Sequence, residues 1–511
     1  MEKKYDVIVV GAGNGGLAAA ATTAKAGLDT LLLEKHNLPG GAASSFRRGR
    51  FEFEPSLHEL CSVGTKENPG TIYEIFNRVG ASVDWRYEYS TFRLIVPGEN
   101  SIDVKLRAGI DNFCDDVEKA VPGSRESVRA FFDIIEKNEK ALAYVDKKNN
   151  NPNPLVMALK HQDFLRSASH SAEEVEIALG IPEKARDIIN AYWCYLGIPT
   201  DELNSLHYLS MVGSYVNEGA AMPYKRSHEL SLSMEKAVLD NGGKIWYNSE
   251  VTEFIYNTAG DAIGVVLADG KKLYAKQIIS NVIPHNVYAM NDSRFAPERE
   301  LKLANSRKFG ITFITIYLGL DVTMEELGVK DYTLFRSAEA NPRKQFEKIR
   351  SDFRTAGYYV ANCLNAVIPD CSPEGTSMLF FTVPLYGDQL PDDLTPANYK
   401  KFKNEIAESI IKDYEQLMGV DVMNHIEEIS IATPVSFARY LGTPDGEVYG
   451  YETTDWDNII SRIQNKAKDF TIKNLTFCGG HDTRGDGYSS AYVNGEQAGV
   501  IAINNIKKGG K

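Results

Sequence analysis

Gly11-Ala-Gly13-Asn14-Gly15-Gly16 has the G-x-G-x-x-G spacing that lets bare backbone approach a pyrophosphate. Gly11 makes the tight turn, Gly13 admits the phosphates and Gly16 allows a helix to pack close to a strand. The helix that opens there offers unpaired N–H groups and a positive dipole end. Glu34 stands about twenty residues on, where a carboxylate accepts hydrogen bonds from both ribose hydroxyls and disfavours a 2′-phosphate. These residues admit either FAD or NAD. Pro39-Gly40-Gly41-Ala42-Ala43-Ser44-Ser45 tips the choice toward FAD, because a long, extended flavin needs a second stretch of small residues beside its pyrophosphate and ribityl chain.

Other chemistries find no support. His481 and Asp482 lack a third partner at metal-ligand spacing, so no metal site is expected, and no G-x-S-x-G elbow marks a serine hydrolase. Cys61, Cys114, Cys194, Cys363, Cys371 and Cys478 are scattered without a C-x-x-C pair and read as reduced, buried thiols. A net charge of -13 argues against a phosphate-binding surface for nucleic acid.

The elements that must position the glycines form a βαβ unit: a strand over 5–10, an Ala-rich helix over 15–26 and a strand over 30–33. Residues 109–184 mix charged and apolar side chains at helical spacing, which predicts a cap. A helix over 230–239 leads to short strands at 244–247, 251–256, 264–267 and 277–280. Alternation between 309 and 383 predicts a sheet with one covered face. A strand near 474–478 and a helix over 491–507 return the chain to the sheet begun at the N-terminus.

At 511 residues the chain exceeds one ordinary core, so two joined domains are expected. The reading is α/β: a Rossmann-like FAD-binding domain made of 1–100, 225–300 and 435–511, interleaved with an α+β substrate domain made of 101–224 and 301–434. No window reaches the ~20 apolar residues of a membrane span. The N-terminal residues enter a strand with no export signal. A cytoplasmic protein is expected, with peripheral membrane contact left open and the oligomeric state unread.

Val9-Val-Gly-Ala-Gly-Asn-Gly-Gly-Leu-Ala-Ala-Ala, Glu34-Lys35 and Gly40-Gly41-Ala42 resemble the family of phytoene desaturases, carotene isomerases and retinol saturases, within the larger amine oxidase and Rab GDP-dissociation inhibitor group. Gly242-Gly243-Lys-Ile-Trp-Tyr-Asn-Ser-Glu-Val251, Ala275-Lys-Gln-Ile-Ile-Ser-Asn281, Pro373-Glu-Gly375, Leu475-Thr-Phe-Cys-Gly-Gly-His-Asp482 and Gly485-Asp-Gly487-Tyr-Ser-Ser-Ala extend the likeness along the whole chain. The resemblance implies an amine oxidase/phytoene desaturase-like two-domain fold. It implies that the Val251 backbone contacts adenine, that Gly480 and Asp482 hold the ribityl and phosphate portion, and that Gly487, Tyr488 and Ser489 lie against the flavin ring.

The same resemblance places His58 where retinol saturases carry a histidine, as a proton donor or as a buried structural residue. Tyr488 is a further catalytic candidate. Tyr224-Lys225-Arg226-Ser227-His228 departs from the family's Gly-Gly turn, and Arg226 is read either as part of a solvated helix start or as an anchor for an anionic head group. Tyr192, Trp193, Tyr195, Tyr208 and Tyr215 are core residues or the lining of an apolar tunnel.

The implied activity is hydride transfer between FAD and a carbon of an elongated apolar substrate, saturating or desaturating a C–C bond. A flavin-dependent isomerase and a non-catalytic lipid or prenyl carrier are the alternatives. No second G-x-G-x-x-G follows a strand, so electrons would come from NAD(P)H bound transiently, a quinone or another flavoprotein.

Overall fold

The computed structural model describes residues 4–148, 152–290, 296–454, 456–458, 460–462, 472–482 and 487–509. Lys4–Val10 is apolar along most of its length because it pairs on both sides, parallel to Thr30–Leu33 and to Lys272–Ser280. Its sheet runs Val251–Tyr256, Ala262–Leu267, Lys272–Ser280, Lys4–Val10, Thr30–Leu33, Lys244–Trp246, and Leu475–Phe477 also pairs with Lys272–Ser280. The chain's last described strand thus completes the sheet that its first began.

Helix Asn14–Lys25 is Ala-rich because another helix, Gly487–Gly509, lies almost on its backbone. A Cβ at Gly495 would lie 2.1 Å from the Gly15 carbonyl oxygen, and one at Gly499 would lie 2.9 Å from Thr22 Cβ. This approach brings the Tyr492 hydroxyl 3.1 Å from Asn14 Oδ1, to which it donates.

The second sheet has the order Ile426–Ala432, Ile311–Leu320, Ser377–Tyr386, Tyr359–Cys363, Thr333–Arg336, Ser90–Val96, Ile102–Arg107. Its longest strands, Ile311–Leu320 and Ser377–Tyr386, are buried along nearly their whole length, so both faces are covered, not one. Phe381 packs with Tyr414 of helix Tyr399–Met418 on one side. On the other, Tyr317 and Phe380 join the core of the first layer with Phe51 and Phe53. Strand Ser90–Val96 pairs with Thr333–Arg336, so the chain enters the second sheet before residue 101, earlier than the expected boundary. Long-range pairing decides that, and no local composition change marks it.

Helices Ile110–Ala120, Arg125–Lys147, Ala172–Ala178, Glu183–Ile189 and Ser205–Val216 form the cap, sharing one core with the second sheet. The six cysteines are free; Cys114, Cys194, Cys363 and Cys478 are buried, Cys61 and Cys371 partly so. Among the described residues no helix is long and apolar enough to cross a membrane, and no group of His, Cys, Asp and Glu could hold a metal ion.

Candidate active site

The first glycine turn sits at the carboxyl end of Lys4–Val10. Gly11 takes a φ of +94°, and a Cβ at Gly16 would lie only 1.9 Å from the Gly11 carbonyl oxygen, so helix and turn fit only without one. Cβ atoms at Gly13 and Gly15 would meet the Asn281 amide at 2.6 and 2.8 Å. Gly40, at φ +120°, donates its N–H to the Ala12 carbonyl at 2.7 Å, which draws the second glycine stretch alongside Gly13. Bare backbone from Gly11, Gly13, Gly15, Gly40, Gly41 and Gly479 therefore faces one cavity.

Glu34 is buried at the end of Thr30–Leu33, and its carboxylate accepts the Ala12 N–H at 2.6 Å and the His36 N–H at 2.8 Å. Two backbone donors thereby fix it at the cavity wall beside Lys35 and Val251. Asn281, which ends strand Lys272–Ser280 and donates its N–H to the Val10 carbonyl at 2.8 Å, is a site residue that the glycine pattern does not reveal. In the sequence it closes the family-like segment Ala275-Lys-Gln-Ile-Ile-Ser-Asn281, a polar residue terminating an apolar strand.

On the far side, Gly479, Gly480, Gly487, Tyr488 and Ser489 line the same cavity. The Tyr488 hydroxyl donates to the Ala42 carbonyl at 2.8 Å and lies 2.9 Å from Ser56 Oγ, so it ties the C-terminal segment to the second glycine stretch. Ser489 Oγ donates to the Cys61 carbonyl at 2.9 Å. Asp482 is not in the wall: its N–H donates to the Gly479 carbonyl at 3.3 Å, and its carbonyl accepts from Arg462 at 3.3 Å. Gly485 and its neighbours 483, 484 and 486 lie outside the described residues.

Arg462 belongs to a buried ion network that sequence reading missed. Its Nη2 is 2.9 Å from Asp457, which Arg307 also grips through Nε at 2.8 Å and Nη2 at 3.0 Å. Asp457 is 1% exposed, so the three side chains form a buried cluster whose Arg462 reaches the Asp482 carbonyl.

The cavity, about 590 Å³, continues from the glycines past His58 to the cap, where Leu142, Tyr195, Leu206, Met211, Tyr215 and Phe313 line it. Tyr192, Trp193 and Tyr208 are core instead. His58 Nε2 is 2.9 Å from Thr382 Oγ1 and Nδ1 is 3.4 Å from the Tyr195 hydroxyl. Burial pushes the imidazole down to about 4, so near neutral pH His58 is uncharged, with one N–H to give and one nitrogen to accept.

Arg226 is not brought to the cavity. Its Nη2 pairs with Glu52 at 2.9 Å and its Nη1 donates to the Cys371 carbonyl at 3.2 Å, while the residue is only 9% exposed. Against the burial that raises it, Arg226 and Ser45 hold the Glu52 carboxyl below its usual range. The anchor for an anionic head group and the solvated helix start are both replaced by a structural ion pair. The neighbouring Ser227 N–H donates to buried Glu54 at 2.8 Å.

A glycine cradle at the ends of parallel strands, opening into a cavity walled by the second sheet and the cap, has the form of a Rossmann-type dinucleotide-binding site. Residues 9–78 match the family model of the NAD(P)-binding Rossmann-like domain. The chain is 25% identical over 538 aligned residues to an all-trans-retinol 13,14-reductase of Danio rerio, covering 98% of this chain and 86% of that one. To a chloroplastic prolycopene isomerase of Daucus carota it is 24% identical, covering 88% and 72%. An oxidoreductase from Methanosarcina mazei has the same fold, with a TM-score of 0.64 and 17% identity over 98% of this chain and all of that one. These similarities bear out the resemblance carried by the motifs: the protein is an FAD-dependent oxidoreductase similar to the retinol saturases and carotene isomerases.

Proposed function

We propose that the chain catalyses hydride exchange between FAD and a carbon of an elongated, apolar polyene, changing the saturation of a C–C bond. The observation that carries this reading is the single cavity that joins the glycine cradle to the apolar cap wall. The cradle fits the cofactor, since side chains at Gly13, Gly15 or Gly40 would displace neighbouring groups. Gly11, Gly13, Asn14, Gly15, Gly40, Gly41 and Ala42 would hold the pyrophosphate side, Glu34 the ribose, Val251 the adenine, and Gly480, Gly487, Tyr488 and Ser489 the ribityl and ring end. Bound FAD supplies two-electron hydride chemistry.

The chain's own residues bind, orient and move a proton. Leu142, Leu206, Met211 and Phe313 favour an apolar chain and exclude water from it. His58, uncharged, would hand a proton to a reacting carbon through the Thr382 hydroxyl at the cavity wall. Tyr488, tied to Ala42, keeps the two glycine segments together. The isomerase relative supports a second use of the same cavity, in which the double bond changes geometry without net redox change. NAD(P)H, a quinone or another flavoprotein would supply or remove electrons. Leu155 and Leu159, 66% and 67% exposed on the cap, support peripheral contact with a lipid surface.

Anaerobic reduction of the purified holoprotein, followed by stopped-flow mixing with retinoids, longer polyenes and unsaturated fatty acids, tests the proposal. Rapid reoxidation by a polyene is expected. Reoxidation by none of them, with prompt reoxidation by an amine-derived imine, would overturn it.

A further inference from the structure

Beside His58 lies a pair of buried acids that the cofactor site does not use. Glu59 is 3% exposed and Glu88, at the end of strand Trp85–Glu88, is 6% exposed; the two carboxyls are neighbours, and both Glu88 oxygens are buried without a hydrogen-bond partner. Two neighbouring carboxyls away from water resist ionisation, so below about pH 7 both carry a proton and one can leave without placing two charges side by side. Burial pushes Glu59 up; burial and the neighbouring Glu59 push Glu88 well up.

Around the pair, the Tyr192 and Tyr195 hydroxyls lie 3.4 and 3.5 Å from Glu59 Oε1, and the Thr333 hydroxyl lies 3.4 Å from Oε2. Tyr215 and Tyr332 stand close, and Ser90 and Lys105 are the groups that ease the charge on Glu88. The Tyr195 hydroxyl also lies 3.4 Å from His58 Nδ1, and Glu59, Tyr195 and His58 all line the cavity. Glu59, Tyr195 and His58 therefore form a chain ending at the cavity wall, with the Glu88 carboxyl beside its inner end.

We propose that Glu59 and Glu88 store a proton for the reaction and pass it through the Tyr195 hydroxyl to His58, which relays it through the Thr382 hydroxyl to the substrate carbon. The proposal rests on the hydride-transfer reading above. In a saturation one carbon of the double bond takes a hydride, the reductant being the reduced cofactor, and its neighbour takes the proton. The Thr382 O–H bond breaks as the new C–H bond forms, and Thr382 Oγ1 takes the proton from His58 Nε2, 2.9 Å away. Nδ1 takes a proton from Tyr195, which regains one from the Glu59 carboxylic acid. His58 ends neutral in its other tautomer, and the pair ends with one proton shared between two carboxyls. Exchange with solvent restores both.

Glu59 and Glu88 act through Tyr195 and are positioning residues, so the test reads protons as well as turnover. The carboxylic C=O band of the holoprotein is followed by infrared titration, alongside the pH profile of polyene-dependent flavin reoxidation, in wild type, Glu59→Gln, Glu88→Gln and Tyr195→Phe. A wild-type band that fades as pH rises through about 7, with reoxidation slowing over the same range, is expected. Glu59→Gln should lose that titration, flatten the profile and slow reoxidation at least tenfold, and Tyr195→Phe should keep the band yet slow reoxidation similarly. Absence of a protonated carboxyl in the wild type, or a Glu59→Gln profile identical to wild type, would overturn the relay. A titrating band in a protein that no polyene reoxidises would instead sink the hydride-transfer reading.

Discussion

The two ends of the cavity are built on opposite principles. At the glycine end, position is fixed by backbone: Gly16 cannot carry a Cβ, Glu34 is pinned by two N–H groups, and Tyr488 is tied to Ala42. At the cap end, rings set the shape, with Tyr192 and Tyr215 stacked at 4.8 Å and His58 5.6 Å from Phe380, while polar atoms are few and interlinked. The first end tolerates no change of shape because a fixed cofactor must fit it. The second tolerates changes of shape better than changes of protonation.

Substitutions should separate the two ends by what they break. Removing Asp457 leaves Arg307 and Arg462 with an uncompensated buried charge, so Asp457→Ala should cost about 3–5 kcal/mol, read as a lowered melting temperature with loss of flavin. The cap end should respond to pH first. His58 titrates near 6.5 when unfolded and about 4 when folded, so its contribution is intact above pH 6.5 and is lost as pH falls toward 4. His58→Gln should abolish that acid loss, on the order of 3 kcal/mol, in melts recorded across the window. Glu59 shifts the opposite way: its contribution is full below the unfolded value of 4.5 and fades as pH climbs through about 7, so Glu59→Gln should flatten the alkaline side.

Smaller effects sharpen the contrast. Gly495→Ala pushes a methyl toward the Gly15 carbonyl, and a cost of about 1–3 kcal/mol with weakened flavin retention is expected. Tyr488→Phe removes one tether between the glycine segments, which should cost about 0.5–1.5 kcal/mol and leave the acid and alkaline limbs of stability unchanged. A Tyr488→Phe variant that altered those limbs would erase the distinction between the two ends.

The glycine end was legible in the sequence because its information is local. Gly11, Gly13, Gly16 and Glu34 lie within one βαβ unit, and the spacing carries the geometry. Asn281, Arg462 and Gly495 reach the same place through sheet pairing and helix packing, which no short spacing encodes. Arg226 shows the converse error: a local run of cations suggested a ligand anchor, whereas Glu52, distant in sequence, neutralises it. His58 came from family likeness, but its linkage to Tyr195 and Glu59 exists only once the cap folds over the second sheet. The early entry into that sheet at Ser90 was hidden for the same reason.

The central claim is that the glycine cradle and the cap wall enclose one FAD-dependent site. Its most direct test is the chromophore of the purified protein, released by mild denaturation and identified by chromatography and mass. One FAD per chain, with a visible spectrum perturbed on adding an apolar polyene, is the predicted result. A protein that stays colourless after incubation with FAD, or one whose flavin spectrum ignores every polyene offered, would contradict it.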